Sequence, residues 1–270
     1  MNSTAPESKG PVELSNLFGM RDKVVFIPGG YGGIGEAIAT AMALAGAKVT
    51  VAGRSAEKAQ RLRAAMNDRG LAADVAAMDA RSVASIRNAV RDVADRHGRI
   101  DVLVNCVGIQ REEPMLEVTE DAWDEVSNAN LKAAMFLAQA VAREQVAAGN
   151  GGRQVHLLSV RSRLGLRDRG YSAYCSTKGG LVMLVRQHAM ELAPERITVN
   201  GVAPTFVHTE MIRHVMENRD FHDRLLDRIP LGRIADPADV VGPVMFFCSN
   251  ASGFVTGQIL YVDGGITASQ

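Results

Sequence analysis

The chain has 270 residues, 47% of them apolar and 22% charged, a globular composition that argues against a largely disordered protein. Thirty basic side chains balance thirty acidic ones, so no overall positive field recruits nucleic acid or an anionic membrane. Three scattered cysteines, Cys106, Cys175 and Cys248, exclude a disulfide framework and a cysteine-based zinc site and fit a reducing, cytoplasmic setting.

Residues 1–19 open on a polar stretch with Pro6, Gly10 and Pro11, without the apolar core of a signal peptide, and are expected to form a flexible arm. No later stretch is apolar enough to span a bilayer. From residue 23, short β-branched runs alternate with longer segments whose apolar residues recur at three and four positions. The runs 23–28, 48–53, 73–78, 101–107, 154–159, 196–202 and 258–263 predict strands. Helices are expected over 33–45, 56–69, 82–97, 120–148, 172–193 and 237–248. Nearly continuous apolar strands suit a parallel sheet covered on both faces, and the alternation implies right-handed crossovers. The expected fold is α/β: residues 20–270 as a single-domain, Rossmann-type, doubly wound parallel sheet of about seven strands with helices on both faces. Residues 205–233 interrupt the pattern and read either as a substrate lid or as a surface excursion.

The first predicted strand runs into Pro28-Gly29-Gly30-Tyr31-Gly32-Gly33-Ile34-Gly35, and a helix follows from Glu36. Glycines let the backbone turn tightly and approach a pyrophosphate, whose charge a helix N-terminus favours. Between the first strand and the first helix, such a turn predicts dinucleotide binding. The second strand ends in Val51-Ala52-Gly53-Arg54-Ser55. No carboxylate stands there for the ribose 2′-hydroxyl of NAD(H), and an arginine suits the 2′-phosphate of NADP(H). NADP(H) is the expected cofactor and NAD(H) the alternative; against both stands Arg54 as a solvated loop charge. Asp79, ending the third strand, either accepts a hydrogen bond from the adenine amino group or caps the helix that starts near Ser82.

Tyr174 and Lys178 lie four apart in a helical segment and share one face. A nearby ammonium stabilises a phenolate, which makes a side chain with a reference pKa of about 10 a usable acid/base. Tyr171 lacks that partner, because Cys175 stands four residues after it.

In order, Gly29-xxx-Gly33-x-Gly35, Asn105-Cys106-Val107-Gly108, Asn130-Leu131, Ser159, Tyr174-xxx-Lys178, Pro204 and Gly257…Val262-Asp263-Gly264-Gly265 resemble the short-chain dehydrogenase/reductase family over about residues 20–265. The resemblance implies Tyr174 as general acid/base and Lys178 as the group that binds the nicotinamide ribose and lowers the tyrosine pKa. It implies Ser159 as the donor to the substrate carbonyl and Asn130 as the holder of a relay water. Ser162 competes with Ser159, which precedes Tyr174 by fifteen positions rather than the family's thirteen. The implied cofactor site comprises Gly29, Tyr31, Gly32, Gly33, Ile34, Gly35, Arg54, Asp79, Ala80, Asn105, Gly108, Tyr174, Lys178, Pro204, Val207 and Thr209, with no metal. The sequence departs from the family pattern at Pro28, which replaces a threonine, at Tyr31, which replaces a serine, and at Cys106, Val107 and Thr205.

Arg161, Arg163, Arg167 and Arg169 crowd the loop after the fifth strand. With Arg111 and His208 they read as an anion-binding rim, or as a solvated basic loop. The Ser159-Ser162-Gly165 spacing is similar to the sugar-acid and polyol dehydrogenases of the family, gluconate 5-dehydrogenases among them. The expected function is hydride transfer between the nicotinamide and a secondary alcohol or ketone of a polar or acidic small molecule. The alternatives are a 3-oxoacyl-carrier-protein reductase and a non-catalytic NADP-binding sensor. Helices 120–148 and 172–193 carry apolar residues around more than one face: Trp123, Val126, Phe136, Leu137 and Val141 in the first, and Leu181, Val182, Leu184, Val185 and Leu192 in the second. Such helices need a second surface, which predicts a two-fold contact. The resemblance implies a further two-fold through Phe246, Phe247 and Tyr261, hence a homotetramer.

Overall fold

The computed structural model describes residues 13–212 and 219–268. Most of the expected arm (1–12) and part of the expected lid (213–218) lie outside the described residues. Order begins within the arm: helix α1 (Leu14–Phe18) buries none of its residues, and the Asn250 side chain donates to the Asn16 carbonyl at 3.1 Å.

Among the described residues, seven strands form one sheet in the order β3-β2-β1-β4-β5-β6-β7, every pair parallel. They are β1 (Val24–Pro28), β2 (Lys48–Gly53), β3 (Ala73–Ala77), β4 (Val102–Asn105), β5 (Gly152–Leu157), β6 (Ile197–Pro204) and β7 (Ile259–Val262). The alternating side chains of β1 explain the architecture. Val25 and Ile27 turn to one face and join a core with Ile38 and Met42 of α2 (Ile34–Leu44), Leu62 of α3 (Ala56–Asn67) and Val240 and Val244 of the last helix. Val24 and Phe26 turn to the other face, against Ile86 and Val90 of α4 (Val83–His97) and Leu137 of α6 (Ala133–Ala148). Burying both faces is what a parallel sheet with crossover helices requires. Helix α7 (Ser172–Leu192) extends the second layer, packing Leu181 and Val185 on Val199 of β6.

Helix starts follow local chemistry. Ser55, Ser82 and Thr119 each accept a backbone N–H of the first turn of α3, α4 and α5 (Glu120–Ser127), at 3.2 Å in each case. The segment expected as one long helix over 120–148 instead passes from α5 through a π turn, Asn128–Lys132, into α6. The wider turn sets the Asn130 amide against the backbone of Ile109, whose N–H and C=O it brackets at 2.8 and 2.9 Å. Apolar periodicity carries no trace of such a turn.

After β6 the chain leaves the sheet, forms α8 (Arg219–Leu226) and returns to α9 (Pro237–Cys248). Leu225, Ile229, Ile234 and Ile266 make a small separate core there, on which Phe206 and Phe221 pack. The segment therefore has its own apolar support at the carboxyl edge of the sheet. Several residues expected on a second helical face lie inside the chain instead: Val126, Leu137, Val141, Leu181, Val185 and Phe247 are buried. Trp123 remains exposed on α5, and Met183 and Met190 on α7. No helix among the described residues is long and apolar enough to cross a membrane.

Candidate active site

Strands β1 and β4 are neighbours, but the chain leaves them in opposite directions. Between the turns that follow, a cavity of about 630 Å³ opens at the carboxyl ends of the strands, where open α/β sheets bind ligands. Every residue expected to bind cofactor lines it except Asn105. Asn105 is buried, and its side chain is committed to the strand edge. It accepts from the Val107 N–H at 3.0 Å and lies 3.2 Å from Nδ1 of His156, its partner on β5. It shapes the turn behind the cavity and does not form its wall.

At one end, Gly33 has a φ of 47°, and a Cβ on Gly35 would stand 2.5 Å from the Gly29 carbonyl oxygen. Only glycines allow this turn, and it delivers the chain to the N-terminus of α2, whose first N–H groups have no partner within the helix. Tyr31 then reaches across to the end of β2. Its hydroxyl accepts the Ser55 N–H at 3.0 Å, and its phenol covers Gly53 so closely that any Cβ there would collide with it. The lack of a carboxylate at this strand end is thus steric as well as chemical. Arg54 is exposed and lines the cavity, as do Lys58 and Arg81, two cations not anticipated from sequence. Asp79 accepts from Nε and Nη2 of Arg81 at 3.1 and 2.9 Å, and that guanidinium holds its carboxyl down at about 2. The cap of α4 is Ser82, so the capping role considered for Asp79 falls away.

At the other end, Ser159 follows β5 and lines the cavity with Tyr174 and Lys178 of α7. Ser162 does not line it; its hydroxyl is 3.2 Å from that of Tyr261. Between the two candidate serines, position therefore favours Ser159. Burial pushes the Tyr174 phenol up to about 12, opposed by a hydrogen bond with Ser159. Burial also drives the Lys178 ammonium down to about 8. Lys178 donates to the Leu157 carbonyl at 2.8 Å and stands 5.6 Å from the Tyr174 ring centre. Desolvation is the largest influence on the phenol, and the Ser159 hydrogen bond and the Arg161 charge act against it. Asn130 is buried behind this group, donating to the Thr177 hydroxyl at 3.2 Å, a contact that spacing does not reveal. A Cβ on Gly108 would lie 3.5 Å from Nζ of Lys178 and 3.7 Å from Oδ1 of Asn130, so both polar groups flank the same glycine.

The expected anion rim does not assemble. Arg111 pairs with Glu113, Asp121 and Glu125, and Arg169 with Glu112. Arg163 lies over the Tyr261 ring, and Arg167 and His208 are exposed away from the cavity. Of this set only Arg161 lines the cavity.

A doubly wound parallel sheet with a glycine turn at one end of its crevice and a Tyr-xxx-Lys pair beside a serine at the other defines an oxidoreductase of the Rossmann type. A family profile described as enoyl-(acyl carrier protein) reductase matches residues 30–267. The chain belongs to the short-chain dehydrogenase/reductase family, whose members act on CH–OH groups. It is 35% identical to a gluconate 5-dehydrogenase of Gluconobacter oxydans, over 94% of this chain and 98% of the relative. It is 36% identical to a 5-keto-D-gluconate 5-reductase of Escherichia coli, over 94% of this chain and 98% of the relative. The crystal structure of a gluconate 5-dehydrogenase from Burkholderia cenocepacia, in complex with NADP and tartrate, superposes with a TM-score of 0.90 at 36% identity, covering 96% of this chain and 100% of that one.

The Lys178 shift has a sign that stability measurements can read. In the unfolded chain the amine holds its proton up to its ordinary value of 10.5, but in the folded protein only to about 8. Between those values the unfolded state binds more protons, so this group adds stability as pH rises. In urea titrations of the cofactor-free protein, the stability of the wild type relative to Lys178→Met is expected to increase from pH 8 to pH 10.5; a constant difference would contradict the buried ammonium.

Proposed function

We propose that this chain is an NADP(H)-dependent oxidoreductase that interconverts a secondary alcohol and a ketone on a sugar acid or similar polar, acidic small molecule. The observation that carries the reading is one cavity joining a phosphate-type turn and an unopposed Arg54 at one end to Ser159, Tyr174 and Lys178 at the other. The gluconate-acting relatives, one of them crystallised with NADP, support the cofactor and the substrate class.

The residues present fit the cofactor. The turn 29–35 and the N-terminus of α2 suit its diphosphate, Arg54 its 2′-phosphate, and Tyr174 and Lys178 the ribose beside its nicotinamide. When bound, the cofactor supplies or accepts the hydride at the substrate carbon. In the reductive direction Tyr174 gives its phenolic proton to the carbonyl oxygen while the Ser159 hydroxyl donates a hydrogen bond to the same atom. In oxidation Tyr174 takes the proton back. Lys178 keeps a positive charge beside the phenol, favouring the phenolate left after transfer, and Asn130 continues the proton path behind it. The described parts of the expected lid, 205–212 and 219–233, cover the substrate, and a homotetramer completes the exposed apolar positions of α5 and α7.

Tyr174→Phe is expected to lower turnover by about 100- to 10,000-fold with little change in NADPH affinity. Ser159→Ala is expected to cost far more rate than Ser162→Ala; steady-state kinetics and cofactor titration check both, and the reverse order of the serines would refute the assignment. A panel of D-gluconate, 5-keto-D-gluconate, polyols and a 3-oxoacyl thioester, run with both cofactors, tests the substrate class. Preference for the thioester would replace this reading with that of a 3-oxoacyl-carrier-protein reductase.

Arg54→Ala is expected to raise the KM for NADPH by roughly tenfold, the scale of one lost charge-assisted contact, while leaving that for NADH nearly constant. Equal effects on the two cofactors would count against a 2′-phosphate contact. Sedimentation equilibrium at micromolar concentration should show a tetramer, and a stable monomer would remove the assembly proposed here.

A further inference from the structure

Several arginines of this protein are paired with carboxylates. The Nε and Nη2 edge of Arg169 grips Glu112, with both bonds at 2.5 Å, and the same edge of Arg81 grips Asp79. Arg233 takes both oxygens of Asp239, and Arg111 reaches three acidic residues.

Two arginines on the wall of the cavity, Arg54 and Arg161, have no such partner among the described residues, and of the two only Arg161 is buried. It is 5% exposed, and among the described residues no carboxylate lies within ion-pair distance of it. Its Nη1 group donates to the carbonyls of Leu164 and Gly165 at 3.3 and 2.6 Å. That fixes the guanidinium in place and leaves its Nε and Nη2 hydrogens without an acceptor among the described residues. These are the donors that meet a carboxylate side-on in two parallel bonds. Arg161 follows Ser159 by two residues, its own N–H donates to the Ser159 hydroxyl at 3.1 Å, and its charge is felt at Tyr174. Arg228 is close enough to add a second positive charge to the same region. A buried cation without a counter-charge is costly, and burial already disfavours the charged guanidinium here.

We propose that Arg161 is the anchoring group for the carboxylate of an acidic substrate, held side-on by its free Nε–Nη2 edge while the reacting carbon faces Ser159 and Tyr174. The proposal rests on the sugar-acid reading for the identity of the substrate, but not for the existence of the anion subsite. An arginine two residues beyond the serine thus sets the choice between acids and their neutral counterparts. Arg111 and Arg169 are already paired with carboxylates of the chain.

The test uses the NADP-loaded enzyme and two probes. The first is a matched pair of substrates, D-gluconate and the polyol in which its carboxylate is a hydroxymethyl group. Arg161→Met is expected to lower the ratio of kcat/KM for the acid over the polyol by roughly 30-fold, with KM carrying the larger part, the scale for losing one partner of a buried charge pair. Arg161→Lys should restore part of that ratio, since it keeps the charge but not the fork. The second probe is tartrate, a dianion titrated calorimetrically with absorbance at about 340 nm followed to exclude turnover, whose binding should weaken at least about tenfold in Arg161→Met. An equal loss for acid and polyol, or unchanged tartrate affinity, would overturn the proposal, as would failure of the wild type to bind tartrate. If the wild type binds tartrate through Arg161 but oxidises neither sugar substrate, the subsite stands and the sugar-acid reading falls.

Discussion

The site depends on two parallel strands that lie side by side and part company at their ends. Where β1 and β4 meet, the chain goes to one side of the sheet after Pro28 and to the other after Asn105. Neither turn can fill the space between them, and the sheet presents an open crevice at its carboxyl edge. The glycine turn, Gly108 and the end of β5 all face that opening, so groups more than a hundred residues apart in the chain serve one cavity. The core on each face is there to hold this edge. Val25 and Ile27 brace the layer that carries α2, and Val24 and Phe26 the layer that carries α4 and α6.

The crevice is also electrically uneven. The adenosine end carries Arg54, Lys58 and Arg81, and the Asp79 carboxylate there is already claimed by Arg81. The other end is dry enough to push a phenol up and an ammonium down. Both shifts come from the same lack of water, and both oppose charge. A proton-transferring pair in this state is poised for the charge that a bound ligand brings, because every interaction strengthens where solvent is excluded. Lys178 meanwhile rests on a backbone carbonyl, a neutral partner.

What the sequence made legible was what depends on near neighbours. Alternation of β-branched runs with helical periods located all seven strands, and most of them are buried along much of their length. The glycine turn and the Tyr174–Lys178 pair were equally plain, because spacing alone puts them together. Spacing alone did not separate Ser159 from Ser162, whose hydroxyl lies beside that of Tyr261, ninety-nine residues further on. The four arginines of the loop looked alike because their partners lie elsewhere: Arg169 is neutralised from fifty-seven residues away and Arg163 rests on an aromatic ring. Asn105 was assigned to the cofactor because its motif borders the site, yet its amide faces the strand beside it. The π turn at 128–132 left no signal, since an extra residue per turn alters register without altering composition.

The phenol of Tyr31 lying over Gly53 bears on how such a protein changes over evolutionary time. In folds of this kind an acidic residue at the end of the second strand turns the site toward the ribose hydroxyl of NAD. Here that residue meets the tip of the Tyr31 ring. A carboxylate at 53 needs the room that the tyrosine ring fills, so Tyr31 must swing out and give up the Ser55 N–H, or be replaced first. Replacing it first strips the strand end of a partner while the old cofactor is still in use. The two neighbouring turns are fitted to each other, so a side chain at 53 and the position of the Tyr31 ring change together.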